Sequence, residues 1–309
     1  MKEIFKIGSY TMEITVLSQK GSAKNNEDGY FVKHDFENIL CMVVDGGTQV
    51  EEVPTLKDTT GGKFIAQTTV QIAEKVNIKN TPQNIIKELN TQLGDIISKQ
   101  HPSISYSPDS LNTPYGSIAA VTINSNSVSV ANAGDVSVLA LNSDGQVEIL
   151  TIDDVFQKDQ STLKTATNLA HKYGLSVREV MENRSNDNRY RPVLEEMYKT
   201  VKMGNSGEIR RITGAPNFEI TAQTSRPFSN ISRLYIFSDG AIPFDQDLQT
   251  KSGREYFCKL AYEGGLESLY ERVVANATED PDFNKHPRFK FLDDFTIIEI
   301  KKVVPDKVL

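Results

Sequence analysis

The chain has 309 residues, 38% of them hydrophobic and 24% charged, with a formal net charge of −7. That length carries one large domain or two small ones, with a core that needs no disulfide or metal staple to fold. The acidic balance argues against a nucleic-acid partner, which clustered Lys and Arg would serve. No apolar run approaches the ~20 residues of a membrane-spanning helix. The opening Met1-Lys2-Glu3-Ile4-Phe5-Lys6 lacks the apolar stretch of a secretory signal. A cytoplasmic location with no membrane partner is therefore expected. Cys41 and Cys258 lie in apolar contexts and are expected to be reduced core residues rather than a redox pair.

Residues 10–17 and 30–34 carry β-branched and aromatic side chains and read as strands. Residues 39–44 form a nearly continuous apolar run, as a strand buried on both faces does. It ends abruptly in Asp45-Gly46-Gly47-Thr48. Residues 58–76 read as a helix, with Phe64, Ile65, Ile72, Ala73 and Val76 near helical spacing. A second helix starts after Thr81-Pro82 and runs to about residue 99, striped by Ile85, Ile86, Leu89, Leu93, Ile96 and Ile97. From Gly116 the pattern returns to strands at 118–123, 128–133, 136–141 and 146–150, separated by polar turns. That spacing predicts an antiparallel meander.

Residues 155–203 are polar with helical periodicity, and 183–191 is the least ordered-looking stretch. The block reads as a helical insertion on the sheet framework, because strand signals resume at 234–237. The last strand is predicted at 295–300, and residues 301–309 read as a frayed tail. The expected whole is a single α+β domain spanning 1–309.

Acidic residues recur at strand ends. Glu27 and Asp28 precede Gly29-Tyr30-Phe31-Val32, and Asp45 follows Cys41-Met42-Val43-Val44. Asp239 follows Tyr235-Ile236-Phe237-Ser238, and Asp293-Asp294 precede Phe295-Thr296-Ile297-Ile298. One such residue is commonly a turn former. If these ends converge, their like charges need hard divalent cations with oxygen ligands, Mg²⁺ or Mn²⁺. His34, His101, His171 and His286 form no pair at zinc-ligand spacing.

The order of these segments resembles the metal-dependent protein phosphatases of the 2C type. Gly21-Ser22-Ala23-Lys24-Asn25-Asn26-Glu27-Asp28 is similar to that family's G-x-x-R-x-x-N-E-D, and Val43-Val44-Asp45-Gly46-Gly47-Thr48 to its V-x-D-G-x-G-G. Gly116-Ser117-Ile118-Ala119 resembles G-[ST]-T-A, and Gly134-Asp135-Val136-Ser137 resembles G-D-S-R. Ser238-Asp239-Gly240 is the family's S-D-G, and Asp293-Asp294-Phe295-Thr296 its D-[DN]-x-T.

The resemblance implies a four-layer α-β-β-α sandwich with two central antiparallel sheets, and residues 155–203 as a flap beside the site. It implies a phosphoserine/phosphothreonine protein phosphatase acting on a phosphorylated protein through a water bridging two Mg²⁺ or Mn²⁺ ions. Asp45 would bridge the metals and Gly46 offer its carbonyl. Asp239 and Asp293 would complete the shell of the first ion, and Glu27 and Asp28 would hold the second ion, directly or through water. Such a centre needs no enzyme nucleophile.

The sequence departs from the family at several points. Lys24 stands near the phosphate-binding Arg position with spacing one residue shorter, and meets phosphate only as a point charge. Lys20 in that role, or a solvated surface lysine at 24, are the alternatives. No His follows Gly46, and no Ser-Arg follows Asp135, which reads as a turn residue. Asp153-Asp154 also reads as structural. These departures leave a second reading, a pseudophosphatase that binds partners without turnover. A third is an unrelated acidic α+β domain.

Overall fold

A computed structural model describes residues 1–47, 56, 59–107 and 109–303. Thr48 of the Asp45 motif, Asp58 at the predicted helix start and residues 304–309 of the predicted tail lie outside these. The strands form two antiparallel sheets. The larger has the order β1 (Lys2–Ile7), β2 (Tyr10–Gln19), β11 (Phe295–Val303), β10 (Ile231–Phe237), β7 (Ser137–Asn142) and β8 (Val147–Ile149). The other runs β3 (Asp28–His34), β4 (Asn38–Gly46), β5 (Gly116–Asn124), β6 (Ser127–Ala133) and β9 (Ala222–Pro227).

The apolar run of β4 explains how the layers stack. Ile39, Cys41 and Val43 face the core between the sheets, with Ile14, Val16, Val121, Val138, Ile236 and Ile298. Leu40, Met42 and Val44 face outward, under α1 (Gly61–Ala73) and α2 (Pro82–Gln100). Alternate side chains thus serve two cores, which is why no polar position interrupts the strand. Each such buried aliphatic side chain contributes about 1.5–3 kcal/mol of transfer free energy.

On the other side, α6 (Lys251–Glu279) lays Phe257, Leu266, Leu269 and Val273 on Tyr235, Phe237, Phe295 and Ile297. The result is a four-layer α-β-β-α sandwich. Helices α3 (Phe156–Tyr173), α4 (Val177–Glu182) and α5 (Arg191–Ser206) build a smaller core of their own, closed by Phe283. Among the described residues, no helix is long and apolar enough to cross a membrane.

Several sequence expectations change. The predicted meander is split: β5 and β6 belong to one sheet, β7 and β8 to the other. The Ala133-Gly134-Asp135 turn is a crossover between layers and not a hairpin. Helix α6 escapes the sequence reading because Gly264 and Gly265 interrupt it, Gly265 taking a φ of +79°. Strands β1 and β9 are edge strands with mostly exposed or half-buried residues, so they carry little apolar signal. The tail is not frayed at its start. Lys301 continues β11 opposite Glu13 and ion-pairs with it at 2.5 Å. The predicted helix at 58–76 is ordered as helix over Gly61–Ala73, opened by the Thr60 hydroxyl accepting from the Lys63 amide.

Candidate active site

The backbone register places the acidic strand ends together. Asp28, the first residue of β3, lies opposite Asp45 near the end of β4, and Gly46 lies opposite Gly116. From the other sheet, Asp239 follows β10 and Asp293 precedes β11, two strands paired antiparallel so that these ends meet. The sheets join here: the Ser238 hydroxyl, fully buried, donates to Asp28 Oδ2 at 2.7 Å. Asp294 binds the loop before β3 through the amides of Gly21 at 2.8 Å and Glu27 at 2.7 Å. The Gly46 amide in turn donates to the Glu27 carbonyl at 3.0 Å.

Close backbone contact fixes the glycines. A Cβ on Gly46 would lie 2.3 Å from the Gly62 carbonyl oxygen, so the start of α1 rests directly on the end of β4. A Cβ on Gly47 would lie 1.8 Å from the Tyr115 ring.

Asp45, Gly46, Asp239 and Asp293 line one cavity of about 160 Å³, together with Asp135, Asp159, Tyr115, Lys290 and Arg211. Glu27 and Asp28 sit behind this wall rather than on it; Glu27 is buried. Lys24 is exposed in the turn before β3 and is not among the residues lining the cavity. The same holds for Lys20.

Electrostatics set the character of the site. Burial, and then the charges of Asp28, Asp239, Asp135 and Asp293, push the Asp45 pKa well above the usual carboxylate range. Burial also lifts Asp28 well above that range; the Ser238 hydrogen bond opposes this, and Asp293 and Asp294 add to it. Asp239 keeps solvent contact within the cleft. The protein crowded around it, then Asp293 and Asp135, raise its pKa strongly against the opposing Lys290. Lys290 donates to Asp293 Oδ1 at 2.6 Å and lies 4.0 Å from Glu27 Oε2. Burial works against its charge, and Asp293, Glu27 and Asp45 outweigh that, lifting its pKa above the ordinary value.

Two residues gain importance: Asp135, which the sequence offered as a turn residue, and Asp159, which no sequence signal marked. Asp135 lies on the cavity wall with one buried carboxylate oxygen that has no hydrogen-bond partner among the described residues. Asp159 of α3 faces the same space, and burial together with Asp135 raises its pKa to about 7. By contrast Asp153 and Asp154 serve structure. Asp153 accepts from the amides of Val155 and Phe156, both at 2.9 Å, and Asp154 from the Arg210 amide at 3.0 Å and the Thr221 hydroxyl at 3.1 Å.

The donors fit hard divalent cations: carboxylates and a carbonyl, crowded together and repelling one another. Among the described residues, no three His, Cys, Asp or Glu side chains converge as a complete metal shell.

No family model and no curated protein matches the chain. Solved structures do. A bacterial serine phosphatase is 17% identical with a TM-score of 0.54, covering 96% of this chain and 100% of its own. Serine/threonine phosphatase Stp1 from Staphylococcus aureus is 16% identical with a TM-score of 0.54, covering 97% and 98%. The fold is that of the 2C-type phosphatases. The catalytic domain of serine/threonine protein phosphatase PstP has it too, in complex with two manganese ions, at 16% identity and a TM-score of 0.53 over 95% of this chain and 99% of its own. In the 2C-type frame, Asp45 and Asp239 sit at the junction where the two sheets meet.

Proposed function

We propose that the chain is a metal-dependent phosphoserine/phosphothreonine protein phosphatase using Mn²⁺ or Mg²⁺. One observation carries the reading: Asp28, Asp45, Asp239 and Asp293 come from strand ends of both sheets to one site, where burial first and then neighbouring carboxylates raise the pKa of Asp28, Asp45 and Asp239. Such a cluster is costly without cations and stabilised by them. Asp45, the Gly46 carbonyl, Asp239 and Asp293 would hold the ions at the cavity wall, with Glu27 and Asp28 behind. Bound, the ions would acidify a water and neutralise charge on the phosphoryl oxygens.

The chain's own residues shape what surrounds this centre. Ser238 and Asp294 fix the loop that carries Glu27 and Asp28. Val155, Thr162 and Met197 of the 155–203 block line the same cavity, the place a flap beside the site would take. A cysteine nucleophile is disfavoured: neither thiol lines the cavity, and burial raises Cys41 strongly and Cys258 to about 12. The substrate would be a phosphorylated protein in the cytoplasm, and residues 1–309 would act as one domain.

A second reading, a pseudophosphatase, is favoured by Lys290 already pairing with Asp293 and by the incomplete carboxylate convergence. p-Nitrophenyl phosphate hydrolysis in Mn²⁺, against a chelator and against Asp239→Asn, separates the two. Metal-dependent turnover lost in the variant supports the phosphatase. A metal-induced rise in melting temperature with no turnover supports the pseudophosphatase.

A further inference from the structure

The cavity wall holds cations as well as carboxylates, and they are not equally occupied. Lys290 is committed to Asp293. Arg184 donates through Nη1 to the Met181 carbonyl. Arg211 is only 7% exposed and makes no hydrogen bond or ion pair with any described residue. Its guanidinium lies over the Tyr115 ring, 4.2 Å from the centroid. Asp159 feels its charge across the cavity without pairing to it. The Arg211 donors open into the cavity with no protein acceptor among the described residues, which leaves them free for an anion that enters it.

The placement of Arg211 is built rather than incidental. Ile212 pairs with Gly116 through two backbone hydrogen bonds, Gly116 amide to Ile212 carbonyl at 3.0 Å and the reverse at 2.8 Å. Gly116 is itself opposite Gly46. The 211–212 segment therefore lies across β5 from the Asp45-Gly46 strand end, two strand spacings away. Ile212 is buried in the core under α1 and α2, and Arg211, its neighbour in an extended segment, turns instead to the cavity. Tyr115 supports the guanidinium on one side. On α5, Gly204 leaves it room: a Cβ there would lie 3.0 Å from Arg211 Nη1.

Resting on the phosphatase reading above, we infer that Arg211 binds the phosphoryl oxygens of the substrate, the forked contact that Lys24 does not provide. A planar guanidinium with free donors matches a phosphate dianion in two parallel hydrogen bonds. Its position on the segment returning from α5 ties phosphate binding to the flap.

The test is inorganic phosphate binding to the full chain in Mn²⁺ by calorimetry, alongside p-nitrophenyl phosphate kinetics. Arg211→Gln, which keeps much of the stem, is expected to weaken the phosphate Kd about tenfold or more and to lower kcat/KM at least as much. Arg211→Lys is expected to recover part of the affinity but not the bidentate contact. Lys202→Ala removes an exposed charge on α5 and is expected to leave both unchanged. Thermal melting of each variant controls for folding.

Unchanged phosphate affinity in folded Arg211→Gln overturns the inference, as does a loss seen in Lys24→Ala but not at Arg211. Wild-type turnover with Arg211→Gln unaffected sinks the inference and leaves the phosphatase reading standing. Phosphate binding that depends on Arg211 without any turnover sinks the phosphatase reading and leaves the inference standing. Absence of phosphate binding to the wild-type protein overturns the inference whatever the turnover.

Discussion

The Ser238 hydroxyl donates to Asp28 across the junction of the two sheets, at 2.7 Å and fully buried on the serine side. It also accepts from the Thr296 amide at 3.1 Å, so one oxygen links β3, β10 and β11. The S-D-G segment therefore does two jobs: its Asp faces the cavity, and its Ser holds a carboxylate of the opposite sheet. Ser238→Ala removes both links and leaves a buried carboxylate less satisfied, with an expected cost of about 1–3 kcal/mol. Thermal melting checks this, and an unchanged melting temperature contradicts it.

The raised pKa values give a signed pH dependence. Asp28, Asp45 and Asp239 all hold protons more tightly when folded than an ordinary carboxyl. The stability they contribute is fully present below about pH 3.9, the unfolded value for Asp. It is lost as pH rises toward their raised folded values. In chelator, the protein should therefore lose stability as pH climbs from 4 toward neutrality. Mn²⁺ should reverse that loss, with a melting-temperature gain that grows with pH. A gain that is flat in pH would count against the cluster as the binding site.

Asp280 behaves in the opposite sense. Burial works to raise its pKa, but the amides of His286 and Lys285 and the Arg288 guanidinium outweigh it and hold the carboxyl below its ordinary value. Arg288 donates to it at 3.0 Å, and both side chains are under a tenth exposed. The stability from Asp280 is present above its unfolded pKa and lost as pH falls through the folded one. Asp280→Asn should cost about 3–5 kcal/mol by stranding the Arg288 charge, and should flatten the acid limb of the stability curve. Urea unfolding across pH 3–7 reads both effects.

Gly47 and Tyr115 should be energetically coupled. Ala at 47 drives a methyl into the Tyr115 ring, costing about 1–3 kcal/mol as overpacking. Gly47→Ala combined with Tyr115→Ala should cost less than the sum of the singles, because the clash disappears with the ring. Strict additivity in a double-mutant cycle would show that the ring is not held against Gly47.

How much was legible follows from what each signal measures. The apolar run at 39–44 and its acidic end were readable because β4 packs on both faces. The stripes of α1 and α2 were readable because each helix buries a single face against the sheet of β4. Helix α6 was not, because Gly264-Gly265 breaks its periodicity. The split of the β5–β8 meander was invisible, since a crossover and a hairpin use the same turn residues. Asp45, Gly46, Asp239 and Asp293 were legible as strand ends, and the structure sets them on one cavity wall. Arg211 stands in none of the matched segments, and Asp135 lies in one, Gly134-Asp135-Val136-Ser137, where it reads as a turn residue. Their relation to the site arises from the Gly116–Ile212 bridge and the sheet crossover, which are tertiary.

The central claim is that these carboxylates hold metal ions for phosphate-ester hydrolysis. The most direct measurement is phosphate release from a phosphothreonine peptide by the full chain in Mn²⁺, compared with Asp45→Ala. The account predicts steady release from wild type, abolished by chelator and reduced more than about 100-fold in the variant, beyond the loss seen for outer-shell partners. Release that persists in Asp45→Ala, or in chelator, would contradict it.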